Sequence, residues 1–157
     1  MGLNNELDAA AGTENSLLLE SGIGEVGMAK PGYPYKILVV DDEEDIILTV
    51  KTILNEAGYC VDAFTDPSAA FNMFRPEEYE IIILDIRMPG LNGFELYMKL
   101  FEKDSTIKVL FLTAVNEFSV YEKYKNNVSP MFGKRYYLQK PIELTKLLQR
   151  VDEMLNL

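Results

Sequence analysis

A run of branched apolar residues that ends in a carboxylate constrains the fold of this chain more than any other feature. Residues 81–84 read Ile-Ile-Ile-Leu, which is typical of a strand buried on both faces, as in parallel sheets. Asp85 follows this run, and turn formers then break the chain: Pro89, Gly90, Asn92 and Gly93. Asp85 is therefore predicted at the carboxyl end of a strand, where open α/β sheets bind their ligands. The alternative, that Asp85 only caps a loop, stays open on this segment alone.

Similar apolar segments recur along the chain and predict its fold class. Predicted strands cover 36–40, 59–64, 81–84, 108–112 and 136–139. Apolar residues at helical spacing predict helices over 46–57, 67–74, the residues after Gly93, 116–125 and 144–155. Because parallel neighbours need crossover helices, five strands alternating with five helices predict an α/β fold with a doubly wound, five-stranded parallel sheet.

Composition narrows the classes of function. The chain of 157 residues has a net charge of −10, which argues against direct binding to nucleic acid or to an anionic membrane, since both require a basic surface. It contains no histidine, which excludes histidine-based acid–base catalysis and histidine metal ligands. Its single cysteine, Cys60, cannot form an internal disulfide and indicates a reducing compartment. The chemistry must then use carboxylates, lysine, hydroxyls or a metal.

Residues 1–35 differ in composition from the rest and are predicted to be a mostly disordered arm. They carry five acidic residues against one lysine, together with several helix breakers. The glycines in 22–27 match a dinucleotide-binding pattern, but no strand precedes them, so we reject that function. No secretory signal or membrane span is recognisable, which predicts a soluble, cytoplasmic protein. The folded domain is expected over 36–157, with no output domain after it.

Polar side chains stand at four of the predicted strand ends. They are Asp41 and Asp42, Asp85, Thr113 and Lys140. The carboxyl ends of parallel strands meet at one edge of a sheet, so these side chains are expected to lie together. Three neighbouring carboxylates repel one another unless a cation holds them, and oxygen ligands of this kind suit Mg²⁺. Aspartate also accepts phosphoryl groups covalently, and Lys140, Thr113 and the metal would each contact one phosphoryl oxygen.

The acidic run continues past Asp42 into the first predicted helix. Glu43, Glu44 and Asp45 stand at the N-terminus of that helix, where side chains cap free N–H groups and acids interact favourably with the helix dipole. Capping explains these three acids. It does not account for Asp41 and Asp42, which stand at the end of the strand.

Four motifs stand at the predicted strand ends: Val39-Val40-Asp41-Asp42-Glu43, Leu84-Asp85-Ile86-Arg87-Met88-Pro89-Gly90-Leu91-Asn92-Gly93, Leu112-Thr113-Ala114 and Lys140-Pro141. Together they resemble the receiver domain of two-component response regulators. Each motif alone is weak, but together they stand in the family's order at the right strand ends. The resemblance covers nearly all of 36–157. It implies a flavodoxin-like sheet with strand order 2-1-3-4-5 and the function of a stand-alone response regulator in phosphorelay signal transduction.

The resemblance also implies roles for the acidic residues. Asp85 would be the phosphoacceptor, taking a phosphoryl group from the phosphohistidine of a sensor histidine kinase or phosphotransfer protein. Asp42, Asp85 and the backbone carbonyl of Arg87 would bind Mg²⁺, and Asp41 would act through a coordinated water. The protein would catalyse its own Mg²⁺-dependent phosphorylation and dephosphorylation without being a conventional enzyme. A cis bond at Lys140-Pro141 is expected because the family often has one there.

The remaining motif residues are expected to sense the phosphoryl group and pass the signal on. By the same resemblance, Thr113 and Lys140 are the sensing pair and Tyr137 is the aromatic switch. Tyr136 is adjacent, and strand alternation places it on the opposite face. The segment before the last strand is longer than in most of the family. Output is expected through protein contacts of 116–135 and the closing helix, either with a downstream protein or in a phosphorylation-dependent homodimer.

Two other classes of function share part of this pattern. Aspartyl-phosphate phosphatases and phosphotransferases also use an acid after a buried strand, but they need a second acid two residues later, where this chain has Arg87. A phosphorylation-independent, receiver-like interaction module would keep the fold and lose the chemistry. Such a domain usually lacks one member of the reactive set, whereas Asp42, Asp85, Thr113 and Lys140 are all present here.

Deleting residues 1–32 is expected to leave cooperative folding and phosphorylation intact. The composition of the arm provides too little apolar surface to offset the entropy lost on ordering it. Thermal unfolding and phosphodonor labelling of the truncated chain, beside the full chain, test this expectation. Loss of cooperative unfolding in the truncated chain would show that Leu17, Leu18 and Leu19 pack on the domain, and would contradict the prediction.

Overall fold

Strands and helices alternate along the chain in this computed structural model, which describes residues 34–114 and 137–157. The strands are β1 (Lys36–Val40), β2 (Cys60–Phe64), β3 (Ile81–Asp85), β4 (Lys108–Thr113) and β5 (Tyr137–Gln139). The helices are α1 (Glu44–Glu56), α2 (Pro67–Met73), α3 (Gly93–Lys103) and α4 (Leu144–Leu155). Five helices were predicted and the structure describes four of them. The remaining one, over 116–125, lies outside the described residues.

The strands form one parallel sheet in the order β2-β1-β3-β4-β5. This confirms the predicted α/β, doubly wound, flavodoxin-like fold class. Asp85 at the end of β3 pairs in register with Leu112 of β4, and Thr113 pairs with Gln139 of β5. The carboxyl ends of these strands therefore finish at a common edge, where the sequence placed the polar side chains.

The core lies on both faces of the sheet, which explains why the central strands are continuous apolar runs. Leu38 and Ile82 face a cluster that includes buried residues of α2 and α3. Ile37 and Ile83 alternate with them and face a second cluster with buried residues of α1 and α4. In the part of the chain that the structure describes, no helix is both long and apolar enough to cross a membrane.

The start of α3 holds the loop that follows Asp85. Asn92 caps this helix: its side chain accepts a hydrogen bond from the N–H of Glu95 at 2.9 Å, and the Glu95 side chain accepts one from the N–H of Asn92 at 3.1 Å. The N–H of Gly93 donates to the carbonyl of Ile86 at 3.0 Å. A Cβ at position 93 would overlap the backbone carbonyl oxygen of Asp85. Glycine is therefore needed for α3 to begin this close to the end of β3.

Substituting Gly93→Ala is expected to lower the free energy of unfolding by about 2–3 kcal/mol, because the added methyl group meets backbone atoms that cannot rotate away. Gly58→Ala is the control, since nothing lies within 4 Å of a Cβ there and only its φ of +92° opposes a side chain. It should cost about 1 kcal/mol. Urea denaturation of both variants measures the difference. A Gly93→Ala protein as stable as Gly58→Ala would contradict the prediction.

Candidate functional site

Three carboxylates meet at the carboxyl edge of the sheet. Asp41 follows β1 directly, Asp42 is the next residue, and Asp85 is the last residue of β3. Each offers an oxygen that lies within 4.8 Å of the other two. Asp41 is fully buried and Asp85 is 3% exposed, whereas Asp42 is exposed to solvent. The structure therefore brings the three predicted acids together and leaves one of them open to solvent.

The ammonium group of Lys140 lies against this carboxylate cluster. Its Nζ is 2.8 Å from Oδ2 of Asp41, 2.9 Å from Oε1 of Glu43 and 3.2 Å from Oδ1 of Asp85. An ammonium group carries three N–H donors, and here three carboxylates surround it. One side chain thus joins the loops that follow β1, β3 and β5.

Burial and charge act in opposite directions on this cluster. Burial raises the pKa of Asp41, and the hydrogen bond from Lys140 offsets only part of that effect. Burial alone would lower the pKa of Lys140, but hydrogen bonds to Asp41 and Glu43 raise it above its ordinary value, so the amine stays charged. Among the described residues, this edge carries more carboxylates than ammonium groups, and the excess negative charge favours an added cation.

Asp41 also holds the loop between β1 and α1. Its N–H donates to the carbonyl of Phe64 at 3.2 Å, and its Oδ1 accepts a hydrogen bond from the N–H of Glu43 at 2.9 Å. Its other oxygen, Oδ2, is paired with Lys140. Because both carboxylate oxygens are engaged within the protein, Asp41 is less accessible to a metal ion than its exposed neighbour Asp42.

Thr113 and Tyr137, the predicted sensing and switch residues, share one face of the sheet. Thr113 lies one residue past the register partner of Asp85, and its hydroxyl donates to the next carbonyl along the chain at 3.0 Å. The partly buried ring of Tyr137 stacks on Phe111, with the ring centroids 5.6 Å apart. Phe111 precedes Thr113 by two residues, so both point to the same side as Tyr137. The neighbouring Tyr136 lies outside the described residues.

Two loop residues complete the predicted set. The N–H of Lys140 donates to the carbonyl of Thr113 at 2.8 Å, and the Lys140–Pro141 bond is cis, as expected. Arg87 lies two residues after Asp85, and its side chain is exposed. Its expected contribution, a metal contact through the backbone carbonyl, stays a prediction.

Similarity to known proteins covers most of the chain and decides its family. The model of a family described as the response regulator receiver domain matches residues 37–152. The chain belongs to this family. The resemblance drawn from the four motifs is thereby confirmed, and the edge of the sheet described above is the candidate receiver site.

The relatives of this receiver domain include full-length regulators. The regulatory protein VanRB of Enterococcus faecalis is 34% identical over 125 residues, which are 77% of this chain and 52% of that protein. The response regulator RppA of Synechocystis is 36% identical over 119 residues, which are 74% of this chain and 48% of that protein. The chain spans about half the length of these curated relatives.

Solved structures of receiver proteins resemble the fold. The non-phosphorylated HemR receiver domain of Leptospira biflexa is 28% identical, with a TM-score of 0.66, and the match covers 78% of this chain and 95% of that one. The Vibrio cholerae chemotaxis protein CheY4 is 27% identical, with a TM-score of 0.63, and the match covers 78% of this chain and 99% of that one. The sheet described above is thus the sheet of solved receiver proteins.

One contact of the receiver site was not predicted from the sequence. Glu43 was explained as a helix cap, but as the N-cap residue of α1 its side chain makes no capping hydrogen bond. Its carboxylate instead accepts a hydrogen bond from Lys140, 97 residues further along the chain. The capping interpretation of Glu43 was therefore wrong. No periodicity or motif signals a contact at that separation, because only the folded sheet brings the two loops together.

Substituting Asp42→Asn is expected to raise the melting temperature of the unphosphorylated receiver by about 2–5 °C in a chelating buffer. The change removes one of three mutually repelling carboxylates and leaves the contacts of Asp41 with Lys140 in place. The same variant should bind Mg²⁺ more weakly than the native protein. Thermal unfolding with and without Mg²⁺ measures both effects.

Lys140→Met is the matched variant: it removes a positive charge where Asp42→Asn removes a negative one, and the expected change in melting temperature is opposite. It removes the ammonium that compensates the buried carboxylate of Asp41, so it should lower the melting temperature in the same chelating buffer. An Asp42→Asn protein that melts at or below the native temperature in chelator would show that repulsion among the carboxylates does not limit the stability of the metal-free protein.

Proposed function

We propose that this receiver domain accepts a phosphoryl group on Asp85 and signals through contacts with other proteins. The donor is the phosphohistidine of a sensor histidine kinase or of a phosphotransfer protein, which are the partners of this family of domains. One observation carries the proposal. The carboxylate of Asp85, 3% exposed, lies within 4.8 Å of two other carboxylates and 3.2 Å from a lysine ammonium. One edge of the sheet thus carries a phosphoryl acceptor, a set of cation ligands and a fixed positive charge.

The ligands at this edge of the sheet fit Mg²⁺. All of them are oxygens, and Mg²⁺ is usually held by one or two carboxylates together with waters and phosphoryl oxygens. Asp42 and Asp85, with the backbone carbonyl of Arg87, would bind the ion, and Asp41 would act through a coordinated water. When bound, the ion offsets the negative charge of the carboxylates and of the incoming phosphoryl group.

The side chains of the site have distinct roles in the transfer. A carboxylate oxygen of Asp85 attacks the phosphorus of phosphohistidine, so that a P–O bond forms and the P–N bond breaks, and the imidazole leaves with the electron pair and takes up a proton. Lys140 donates to one phosphoryl oxygen and Thr113 to another, which stabilises charge on the group in transfer. Attack by water on the phosphorus later releases inorganic phosphate and restores the Asp85 carboxylate. The domain thereby catalyses its own phosphorylation and dephosphorylation.

The position of the proposed sensing residues supports an output face at one end of the sheet. Thr113 and Tyr137 lie on the last two strands, and Lys140 follows β5, so a phosphoryl group on Asp85 acts on that end of the sheet. A binding partner responds only if it has different affinities for the two states. We place the output face on 116–135 and α4, contacted by a downstream protein or by a second copy of the chain. The net charge of −10 argues against direct contact with nucleic acid.

We also propose that this receiver domain works in the cytoplasm. Immunoblotting of fractionated cells measures its location. The protein is expected in the cytosolic fraction, and a membrane-bound product would contradict this part of the proposal.

Incubation with acetyl phosphate and Mg²⁺ is expected to add the mass of one phosphoryl group to the protein, and chelation should reduce the uptake at least about tenfold. Intact mass spectrometry measures the gain. Asp85→Asn should abolish it, whereas Asp45→Asn, which removes an exposed acid on α1, should not.

Two results would contradict this assignment in different ways. Labelling that survives Asp85→Asn would show that another residue is the acceptor. An unchanged mass for the native protein would favour the alternative, a receiver-like interaction module that works without phosphorylation.

Binding of the phosphoryl mimic beryllofluoride is expected to shift backbone amide resonances beyond the acidic loops. Shifts should extend through Thr113 and 116–135 to Tyr137, because the sensing residues lie on β4 and β5 and Tyr137 packs on Phe111. Heteronuclear spectra of the Mg²⁺-loaded protein with and without the mimic provide the measurement. Shifts confined to residues next to Asp41, Asp85 and Thr113 would rule out the proposed output face.

A further inference from the structure

Among the residues that the structure describes, Lys140 has as many carboxylate neighbours as it has N–H donors. In the unphosphorylated structure its Nζ lies 2.8 Å from Asp41, 2.9 Å from Glu43 and 3.2 Å from Asp85, and an ammonium group has three N–H donors. Asp85, the proposed acceptor, is the most distant of the three. A phosphoryl oxygen therefore gains full access to this ammonium only when another carboxylate gives up part of its contact.

The three carboxylates differ in what they lose on release. Asp41 is fully buried, so losing Lys140 would leave an uncompensated charge inside the protein. Asp85 itself receives the phosphoryl group, but its contact with the ammonium is the longest of the three, so passing that contact to the group does not bring the ammonium into close range. The side chain of Glu43 is 61% exposed, so water replaces the ammonium there at small cost. Glu43 is therefore the partner that an incoming phosphoryl group displaces.

The local structure of Glu43 leaves its carboxylate available for this contact. Glu43 is the N-cap residue of α1, but the cap has no side-chain hydrogen bond. Its backbone is held by its N–H, which donates to Oδ1 of Asp41 at 2.9 Å, and by its carbonyl, which accepts from Ile46 and Ile47. The backbone is thus fixed beside the acidic cluster while the side chain reaches across to Lys140.

We propose that Glu43 is a positioning residue that draws the Lys140 ammonium away from Asp85 and thereby opposes phosphorylation. This inference rests on the proposed function, because it requires contact between Lys140 and the phosphoryl group. The competition weakens binding of a phosphoryl group at Asp85 and slows its transfer. Removing the charge of Glu43 weakens its hold on the Lys140 ammonium, so that one more donor becomes available to the phosphoryl group.

The experiment compares beryllofluoride binding by the full native chain and by Glu43→Gln at saturating Mg²⁺. Glutamine keeps the size of the side chain and removes its charge. The amide resonance of Asp85 reports occupancy, and we expect the variant to bind the mimic about two- to fivefold more tightly, which is the scale of one exposed ion pair. The rate of labelling by acetyl phosphate should rise by a similar factor.

Two controls separate the contact from a general effect of charge. Glu44→Gln removes the same charge from the next residue, which is also exposed, and should leave the affinity unchanged. In a Lys140→Met background, Glu43→Gln should not change the affinity for the mimic.

The stability of the protein gives a further readout of the contact. In chelator, without any mimic, Glu43→Gln should lower the melting temperature by about 1–3 °C, and this loss should vanish in the Lys140→Met background.

Three results would overturn the role of Glu43: unchanged or weaker binding of the mimic by Glu43→Gln, an equal gain for Glu44→Gln, or a gain that persists without Lys140. A native protein that does not bind the mimic at all would contradict the proposed function itself, and the inference would fall with it. The affinity of the native protein for beryllofluoride therefore tests the proposed function. The ratio of the affinities of Glu43→Gln and the native protein tests the role of Glu43.

Discussion

The contacts of the Lys140 ammonium with Asp41 and Asp85 are the interaction on which the rest of the site depends. Both carboxylates are buried at the edge of the sheet, where their charges would be strongly unfavourable without a nearby cation. Among the described residues, the Lys140 ammonium provides it, from the loop after β5. Because one charge compensates acids that follow β1 and β3, a change at Asp85 alters the contacts of β5 as well.

The course of the backbone is enough to bring these groups to one edge of the sheet. Five parallel strands end at one edge, and the central strands β1 and β3 are buried on both faces, so their ends have little freedom to move. Gly93 lets α3 begin against the carbonyl of Asp85, and the capping box of Asn92 and Glu95 fixes that helix start. Asp85 thus has a fixed backbone, while the exposed Asp42 leaves the cluster open to solvent.

The sequence predicted those parts of the site that follow from local pattern and parallel geometry. Asp41, Asp85 and Thr113 stand after buried strands, so their position at one edge followed from the fold class alone. The cis bond before Pro141 came from family resemblance, since a Lys-Pro pair does not specify it. Glu43 was missed because its contact with Lys140 arises only in the folded sheet, and capping offered a sufficient local explanation. The expected arm over 1–35 and output face over 116–135 stay predictions, because the described residues include only the last two of the first range and none of the second.

Chemical trapping of the acyl phosphate tests the assignment of Asp85 most directly. Borohydride reduces an aspartyl phosphate to homoserine, which marks the acceptor at the level of a single residue. After incubation with acetyl phosphate and Mg²⁺, reduction and peptide mass spectrometry should find homoserine at position 85 and nowhere else. Homoserine at position 41 or 42, or no reduced residue in a protein that has gained the mass of a phosphoryl group, would contradict the assignment of Asp85 as the acceptor.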